Sequence, residues 1–298
     1  MSYDIKPFPI PVVADLGPGS QAEDDGLDYL RMPSGMDTYQ PPRLPEPEEL
    51  VGHDTALQVL HQVLGALQAL GRGEPAAPVS LAGLPADDLK LLNQVLGEGE
   101  VSAQVLPLPG QTSTHGTVQI QESVFAGVWR VLRTLDDGQV VDSIEVGPVP
   151  AVLREAARED ARRSPARLAV PAGMFNIPAV LTELEDHRQH WRAGQMAQVV
   201  NLTLLPLTPE DIGFMDHQLG TGRVLILSRG YGNCRITNCC VANTWRVVYY
   251  NSQDAVILNS VEVCDMPEVA CAAPEDLADS AERLVEVLQW VEQAGAAS

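Results

Sequence analysis

The sequence predicts an α+β fold built by tandem duplication of a helix plus antiparallel-sheet unit, with a helical connector and a C-terminal helix. The first observation behind this prediction is an internal repeat. The pattern that opens at Leu84–Leu89 and ends at Val101 returns at Leu207–Ile212 and ends at Val224, at a constant offset of 123 residues (207 − 84 = 123). The second observation is a hairpin-like alternation of apolar and polar residues further along each copy.

The composition is that of a globular protein with room for about two domains. Hydrophobic residues make up 45% of the chain, and the net charge is −21. This charge argues against nucleic-acid binding, because phosphates would be repelled. No run approaches the ~18 apolar residues of a membrane helix, and Asp4 and Lys6 do not fit a signal peptide. We therefore expect a cytoplasmic protein without membrane insertion.

Four segments follow from the composition and the repeat. Residues 1–50 hold nine of the 23 prolines, which disfavours helix and central strand and predicts an extended N-terminal arm. We expect residues 51–160 to form the first repeat unit with a preceding helix. Residues 161–200 are expected to form a helical connector, and residues 201–298 the second repeat unit with the C-terminal helix.

Apolar spacing and capping residues predict the helices. Residues His53–Leu70 carry leucines and valines at helical spacing. The helix that opens the second copy has Thr208 as a natural N-cap and Asp211 where the acid of a capping box belongs. Gly97 and Gly220 are expected to be left-handed stops at the C-terminal ends of the two equivalent helices. Further helices are predicted at residues 154–163, 180–191 and 274–293.

The strands are predicted from alternation on both sides of turn sequences. Trp129 and Trp245 occupy equivalent positions in the two copies. Each copy then alternates into a turn, at residues 136–138 and 251–254, and alternates again, which is typical of a β-hairpin. Short hairpin connections favour an antiparallel sheet, which we expect helices to cover on one face.

No catalytic constellation is present: the sequence contains no nucleophile elbow, no P-loop and no metalloprotease motif. We therefore expect a binding protein that is not an enzyme and carries no cofactor. Trp129 and Trp245 are best explained as one core anchor used twice, and a paired aromatic binding face is the alternative. The residues that we assign to partner binding are Glu122, Trp129, Tyr231, Asn233, Arg235 and Trp245.

The segment Ser228–Ile236 contains two glycines and invites comparison with a phosphate-binding loop. A dinucleotide fingerprint needs a third glycine that opens a helix, whereas Ile236 continues into a predicted strand. We therefore favour a tight turn that presents Tyr231, Asn233 and Arg235 on an exposed rim.

The five cysteines are odd in number and lack framework spacing, which fits buried free thiols in a reducing compartment. No C-x2-C knuckle of a structural zinc site is present. The alternative is a metal or iron–sulfur site formed by Cys234, Cys264 and Cys271. A thiol-redox enzyme is a third interpretation, which the missing C-x-x-C motif disfavours. Cys239 and Cys240 are adjacent and would point to opposite faces of a strand.

Several strings carry a family resemblance: Met32-Pro-Ser-Gly-Met36, Leu44-Pro-Glu-Pro-Glu48, Ile120-Gln-Glu-Ser-Val-Phe-Ala-Gly-Val-Trp-Arg-Val131, Leu227-Ser-Arg-Gly-Tyr-Gly-Asn-Cys-Arg-Ile236, Tyr250-Asn-Ser-Gln-Asp254 and Ile257-Leu-Asn-Ser-Val-Glu-Val263. With them the chain resembles, over nearly its whole length, the HupH/HyaF/HoxQ hydrogenase expression proteins. The resemblance implies an accessory protein for nickel–iron uptake hydrogenases. Such a protein would act as a chaperone of the iron–sulfur small-subunit precursor before twin-arginine export, together with a thioredoxin-like accessory protein. The resemblance implies no particular functional residue.

Overall fold

The computed structural model describes residues 52–107, 116–135, 137–163, 168–230 and 232–296, with side chains up to Trp290. Within these ranges the chain forms six α-helices and one ten-stranded sheet in which all strands pair antiparallel. The predicted α+β class is therefore confirmed. The expected N-terminal arm, residues 1–50, and the candidate residue Tyr231 lie outside the described residues.

The same order of elements occurs twice along the chain: helix, short strand, helix, four strands, helix. The first series is α1 (Asp54–Gly71), β1 (Val79–Ser80), α2 (Ala86–Leu96), β2 (Val101–Val105), β3 (Thr117–Glu122), β4 (Val128–Thr134), β5 (Val140–Val146) and α3 (Ala151–Ala161). The second series is α4 (Ile177–His190), β6 (Gln198–Asn201), α5 (Pro209–Leu219), β7 (Thr221–Ser228), β8 (Asn233–Cys239), β9 (Thr244–Tyr250), β10 (Val256–Val263) and α6 (Pro274–Ala296).

The structure places α4 and most of β6 inside the stretch 161–200, which we expected to be a connector. Helix α4 begins 123 residues after α1 (177 − 54 = 123), and α6 begins 123 residues after α3 (274 − 151 = 123). Because this offset equals that of the sequence repeat, α4 is the counterpart of α1. We therefore propose that the second repeat unit begins at α4 rather than at residue 201.

The capping prediction for α5 is confirmed. The Thr208 hydroxyl accepts a hydrogen bond from the Asp211 backbone N–H at 3.2 Å, and the Asp211 carboxylate accepts one from the Thr208 N–H at 3.0 Å. Gly97 and Gly220 have positive φ, 55° and 64°, as predicted, but their ψ angles are −168° and 163°. The predicted left-handed stop is therefore wrong: each glycine extends the chain at once, because a strand begins within a few residues.

Both predicted hairpin turns are present. In the second repeat the Asn251 N–H donates to the carbonyl of Ala255 at 2.9 Å, and Asp254 adopts a φ of 57°. In the first repeat the Leu135 N–H donates to the carbonyl of Gln139 at 2.8 Å. These bonds close the β9–β10 and β4–β5 connections, as expected for consecutive antiparallel strands.

The two repeats share one continuous sheet with the order β1-β5-β4-β3-β2-β7-β8-β9-β10-β6. Equivalent strands β2 and β7 pair with each other, with Ala103 opposite Ile226. Antiparallel pairing of equivalent elements relates the two halves by a pseudo-twofold axis through this seam. A row of buried side chains crosses the seam on one face of the sheet: Val131, Ile120, Ala103, Ile226, Ile236 and Val247.

The hydrophobic core extends to both faces of the sheet. Val128 and Trp129 are neighbours on β4 and point to opposite faces, and both are fully buried. Val128 belongs to a cluster with residues of α1, α2 and α6, whereas Trp129 belongs to a second cluster that includes Leu153 of α3. The expectation that helices cover only one face is therefore wrong.

A buried polar network fastens the last helix of the first repeat to the second repeat. The Asp160 carboxylate on α3 accepts hydrogen bonds from the backbone N–H and the Nε of Arg223, both at 2.7 Å. It also accepts one from Nδ2 of Asn238 at 3.1 Å, and the amide oxygen of Asn238 accepts the Val224 N–H at 2.9 Å. The Glu159 carboxylate pairs with Nη2 of the Arg223 guanidinium at 2.7 Å.

Candidate partner-binding site

The central strands leave one face of the sheet partly open. Strand register places six half-buried side chains, one from each of six neighbouring strands, in one row on that face, and a second row runs beside it. We call these two rows the open sheet face. The first row is Arg130, Gln121, Ser102, Leu227, Arg235 and Val248. The second row is Leu132, Gln119, Gln104, Leu225, Thr237 and Arg246.

The open sheet face is wide and shallow. Neighbouring strands lie about 4.8 Å apart, so the distance from Arg130 to Arg235 is roughly 20 Å. Its first-repeat half forms a cleft of about 420 Å³ between β2, β3, β4 and the C-terminal part of α2, where Asn93 and Leu96 form one wall. A row of side chains of this length on an open face suits a polypeptide segment, because small-molecule sites bury most of the ligand in a concave pocket.

Arginines at equivalent positions mark the two ends of the open sheet face. Arg130 donates to the Asp142 carboxylate at 2.7 and 3.1 Å and also contacts Asn93 of α2. Arg246 pairs with Asp216 of α5 at 3.0 Å. Desolvation raises the pKa of Asp216 above its usual value, and the nearby Arg246 guanidinium opposes that rise. These pairs anchor α2 and α5 on the sheet at both sides of the open strands.

Arg235 differs from these two arginines. Its guanidinium lies over the Tyr250 ring at 5.5 Å from the ring centroid, and its cross-strand neighbours are Leu227 and Val248. In the described part of the chain it forms no ion pair, although acidic residues outnumber basic ones by 40 to 19. An arginine held by aromatic and aliphatic neighbours keeps its donors available for a carboxylate or a carbonyl group.

The structure separates the predicted site residues onto two faces. Asn233 and Arg235 lie half-buried on the open sheet face, at the start of β8. Glu122, Trp129 and Trp245 lie on the opposite face with relative exposures of 6%, 0% and 1%. A partner at the folded surface cannot reach these three side chains. Their assignment to partner binding is therefore corrected, and burial favours the interpretation of both tryptophans as core anchors.

Glu122 lies in a buried, hydrogen-bonded environment on the face opposite the open sheet face. It lies directly opposite Trp129, whose Nε1 donates to the carbonyl of Gly147 at 2.8 Å. The Glu122 carboxylate accepts the backbone N–H of Gly127 at 3.1 Å and that of Val101. Desolvation raises the pKa of Glu122 to about 7, against the effect of these two hydrogen bonds. Glu122 is thus a buried acid of the fold.

The polar residues of β2 and β3 on the open sheet face were not among the residues predicted to bind a partner. Ser102 and Gln104 alternate with buried residues on β2, and Gln119 and Gln121 do the same on β3. Polar residues at every second position are the ordinary sign of a solvated strand face. The pairing of β2 with β7 joins these polar residues to those of the second repeat in one continuous surface, and the sequence alone does not predict this pairing.

The cysteines do not gather into a metal-binding group. Cys234 and Cys264 are buried and Cys271 is half-buried, all as free thiols. Burial raises the pKa of Cys234 to about 12 and that of Cys271 to about 11, so both thiols are protonated at neutral pH. Across the described ranges, no group of three or more histidine, cysteine, aspartate or glutamate side chains is placed to hold a metal ion. None of the described helices is long and apolar enough to cross a bilayer.

Comparisons with known proteins agree with this duplicated architecture. The family model for the HupH hydrogenase expression protein, C-terminal conserved region, matches the chain twice, at residues 54–171 and 174–291. These two ranges cover the two series of elements described above, apart from the end of α6 after residue 291, so the predicted tandem repeat is confirmed.

Relatives with curated names match over nearly the full chain. The hydrogenase expression/formation protein HoxQ of Cupriavidus necator is 54% identical over 285 residues, which cover 95% of this chain and 98% of the relative. The hydrogenase expression/formation protein HupH of Rhodobacter capsulatus is 45% identical over 95% of this chain and 98% of its own. The hydrogenase-1 operon protein HyaF of Escherichia coli is 32% identical over 94% of this chain and 96% of its own.

A solved structure, hydrogenase expression protein HupH from Thiobacillus denitrificans, matches 37% of this chain and 92% of its own, at 27% identity and a TM-score of 0.35. The family model and the curated relatives together cover almost all of the present sequence. The chain belongs to the HupH family of hydrogenase expression/formation proteins.

Proposed function

We propose that this chain is an accessory chaperone in the maturation of nickel–iron uptake hydrogenases. In this role it binds the iron–sulfur small-subunit precursor in the cytoplasm and holds it before twin-arginine export. It releases the precursor without chemical turnover and works together with a thioredoxin-like accessory protein.

Family membership supports the general role. The curated relatives are named as hydrogenase expression/formation proteins, and they align with this chain from end to end. The open sheet face is the observation that supports binding rather than catalysis. It combines amide side chains, aliphatic side chains and the stacked guanidinium of Arg235 on one rigid sheet.

The chemistry of the open sheet face suits a polypeptide segment with mixed polar and apolar side chains. Gln104 and Gln119 offer both donors and acceptors to a backbone that lies across the strands, whereas the amide nitrogen of Gln121 already donates to the carbonyl of Glu122 at 3.1 Å. Leu225 and Leu227 add apolar area on the second-repeat side of the seam. A rigid platform of this kind binds without the ordering cost of a flexible loop, because its side chains already stand on paired strands.

The alternative function, a metal or iron–sulfur carrier, receives less support. Its three candidate ligands are Cys234, Cys264 and Cys271. In the residues that the structure describes they do not form a group that could hold a metal, and burial raises the pKa of each thiol.

The test is association of the tagged full-length chain with the hydrogenase small-subunit precursor when both are produced together, with metal analysis of the purified complex. Arg235→Gln removes the guanidinium on the open sheet face and should weaken association by about tenfold or more. Arg72→Gln is the matched control, since Arg72 belongs to neither row of this face and forms an exposed pair with Glu74 at 2.9 Å. Circular dichroism should show that both variants are folded.

Recovery of the precursor, with iron present only when the precursor co-elutes, supports the chaperone proposal. An isolated chain that carries iron with no precursor bound supports the carrier alternative. If wild type, Arg235→Gln and Arg72→Gln associate equally with the precursor, the open sheet face is not the surface that binds it.

A further inference from the structure

The ten-stranded sheet ends in two edge strands, β1 and β6, which differ in how their outer backbone is protected. Strand β1 has two residues and directly follows Pro78, and a short edge strand beside a proline resists pairing with a further strand. Strand β6 has four residues. The sequence around it, residues 193–209, contains no charged residue, although 20% of the chain is charged. Strand β6 therefore lacks the charged side chains that keep an edge strand from associating.

The hydrogen bonds of Asn259 show which backbone groups of β6 point away from the sheet. The Asn259 N–H donates to the Thr203 hydroxyl at 2.7 Å, and this hydroxyl donates to the Asn259 carbonyl at 3.5 Å. The backbone groups of Asn259 therefore face the β6 side of β10, and so do those of Val261, two residues on. Val261 lies opposite Val200, so these two residues exchange their hydrogen bonds. The N–H and the carbonyl of the next residue, Val199, then point away from β10.

Exposed apolar side chains surround these outward backbone groups. Val200 is buried in the core and fixes β6 on the sheet, whereas Val199 is 51% exposed. Met196 and Leu204, on either side of the strand, are 81% and 78% exposed. We call the outward backbone of Val199, together with the side chains of Val199, Met196 and Leu204, the β6 edge. Among the described residues, no strand pairs with β6 on this side. The chemistry of the β6 edge is that of a surface that recognises an extended, uncharged strand.

We propose that the β6 edge pairs with the β6 edge of a second copy of this chain, antiparallel and about a twofold axis, so that two ten-stranded sheets become one. A strand that pairs with itself in this way presents the same donors and acceptors on both sides, so the outward N–H and carbonyl groups of the two copies meet. The apolar side chains of the two edges also come together. This proposal concerns assembly of the chain and does not depend on the function proposed above.

The net charge of −21 on each copy does not oppose this pairing at close range. The acid that lies opposite Val199 on β10 is Glu262. In the paired sheets the two Glu262 residues would be three strand spacings apart, about 14 Å. This separation exceeds the Debye length of about 8 Å at physiological ionic strength, so their repulsion is largely screened. The uncharged sequence around β6 then determines the local interaction.

The N-terminal arm is the other candidate occupant, and its sequence fits the β6 edge less well. Residues 1–50 hold nine prolines, which have no N–H to offer to an edge strand. The longest stretch of the arm without proline, residues 19–32, carries four acidic residues. The β6 edge has no cation to pair with them. An uncharged strand with apolar side chains, as β6 itself provides, is the better match.

The test is sedimentation velocity of the full chain and its variants over a wide range of concentration. The wild type should dimerise, and Val199→Lys should weaken the dimer at least about tenfold, because it places a charge on the pairing edge. Val199→Pro should also weaken it, since it removes the outward N–H and leaves the hydrogen bonds between β6 and β10 in place. Val140→Lys is the matched control: it makes the same change of charge at a valine that is 56% exposed on β5, and it should dimerise like the wild type.

Amide hydrogen exchange at Val199 identifies the occupant, and circular dichroism with urea unfolding establishes that the variants are folded. Weakening confined to the two Val199 variants, with a Val199 amide that is protected only in concentrated samples, supports the proposal. A wild type that stays monomeric at all concentrations overturns it, and so does a dimer that the three variants affect equally. Protection of the Val199 amide in a monomer would assign the β6 edge to another segment of the same chain, which also overturns the proposal.

Discussion

Replacing Glu122 with glutamine should change how the stability of the protein depends on pH. Glu122 is 6% exposed and forms no ion pair among the described residues, while Glu100 and Asp276 contribute further negative charge. Desolvation is the main cause that raises its pKa to about 7, and these two acids add to the rise. The folded protein therefore binds a proton at this carboxyl more tightly than the unfolded chain does.

The sign and size follow from linkage. Because the folded pKa lies above the ordinary glutamate value of 4.5, the carboxyl favours the folded state most when it is protonated, and this advantage is lost as pH rises from about 4.5 to about 7. A difference of 2.5 units (7 − 4.5 = 2.5) corresponds to about 3 kcal/mol at most, at roughly 1.4 kcal/mol per unit. Glutamine does not titrate, so Glu122→Gln should lack this loss.

The assay is urea unfolding of wild type and Glu122→Gln at pH 5 and pH 8. The free energy of unfolding of the wild type, relative to the variant, should fall by about 2 to 3 kcal/mol between these two pH values. Glu98→Gln at an exposed position is the control and should show no such change. If the difference between wild type and Glu122→Gln stays constant within about 0.5 kcal/mol, a buried and destabilised carboxylate at this position is refuted.

Two further predictions concern the buried network and the adjacent cysteines. Asp160→Asn should lower the free energy of unfolding by about 3 kcal/mol, because it leaves the buried guanidinium of Arg223 short of its partner. Asp265→Asn, at a carboxylate that is 37% exposed, should cost less than about 1 kcal/mol in the same urea titration; similar costs for the two variants would contradict the argument. Cys239→Ser combined with Cys240→Ser should leave hydrogenase maturation in cells nearly intact. Loss of maturation by a folded double variant would show that these thiols are required for function.

Features that depend on neighbouring residues could be predicted from the sequence. The capping box of Thr208 and Asp211 and the hairpin turn at Asn251 form from groups within four residues of each other, so the local sequence specifies them. The duplication was also visible, because equivalent strings recur at a constant offset of 123 residues. The family resemblance used longer strings of the same kind.

Features that depend on distant pairing could not be predicted in this way. Glu122 and Trp129 stand out in the sequence, yet their side chains point into the core, since the face that a strand residue takes is set by what packs on the sheet. Ser102 and Gln121 carry no functional signal in the sequence, yet the pairing of β2 with β7 places them in one row with Arg235.

The sequence by itself therefore determined the repeated α+β unit, its local turns and caps, and its family. The packing of distant elements decided that the two units share one sheet, that its central strands stay partly open on one face, and that Glu122, Trp129 and Trp245 are buried. The physical reason is the same in each case: local hydrogen bonds follow from adjacent residues, whereas burial and exposure depend on which distant strands and helices meet.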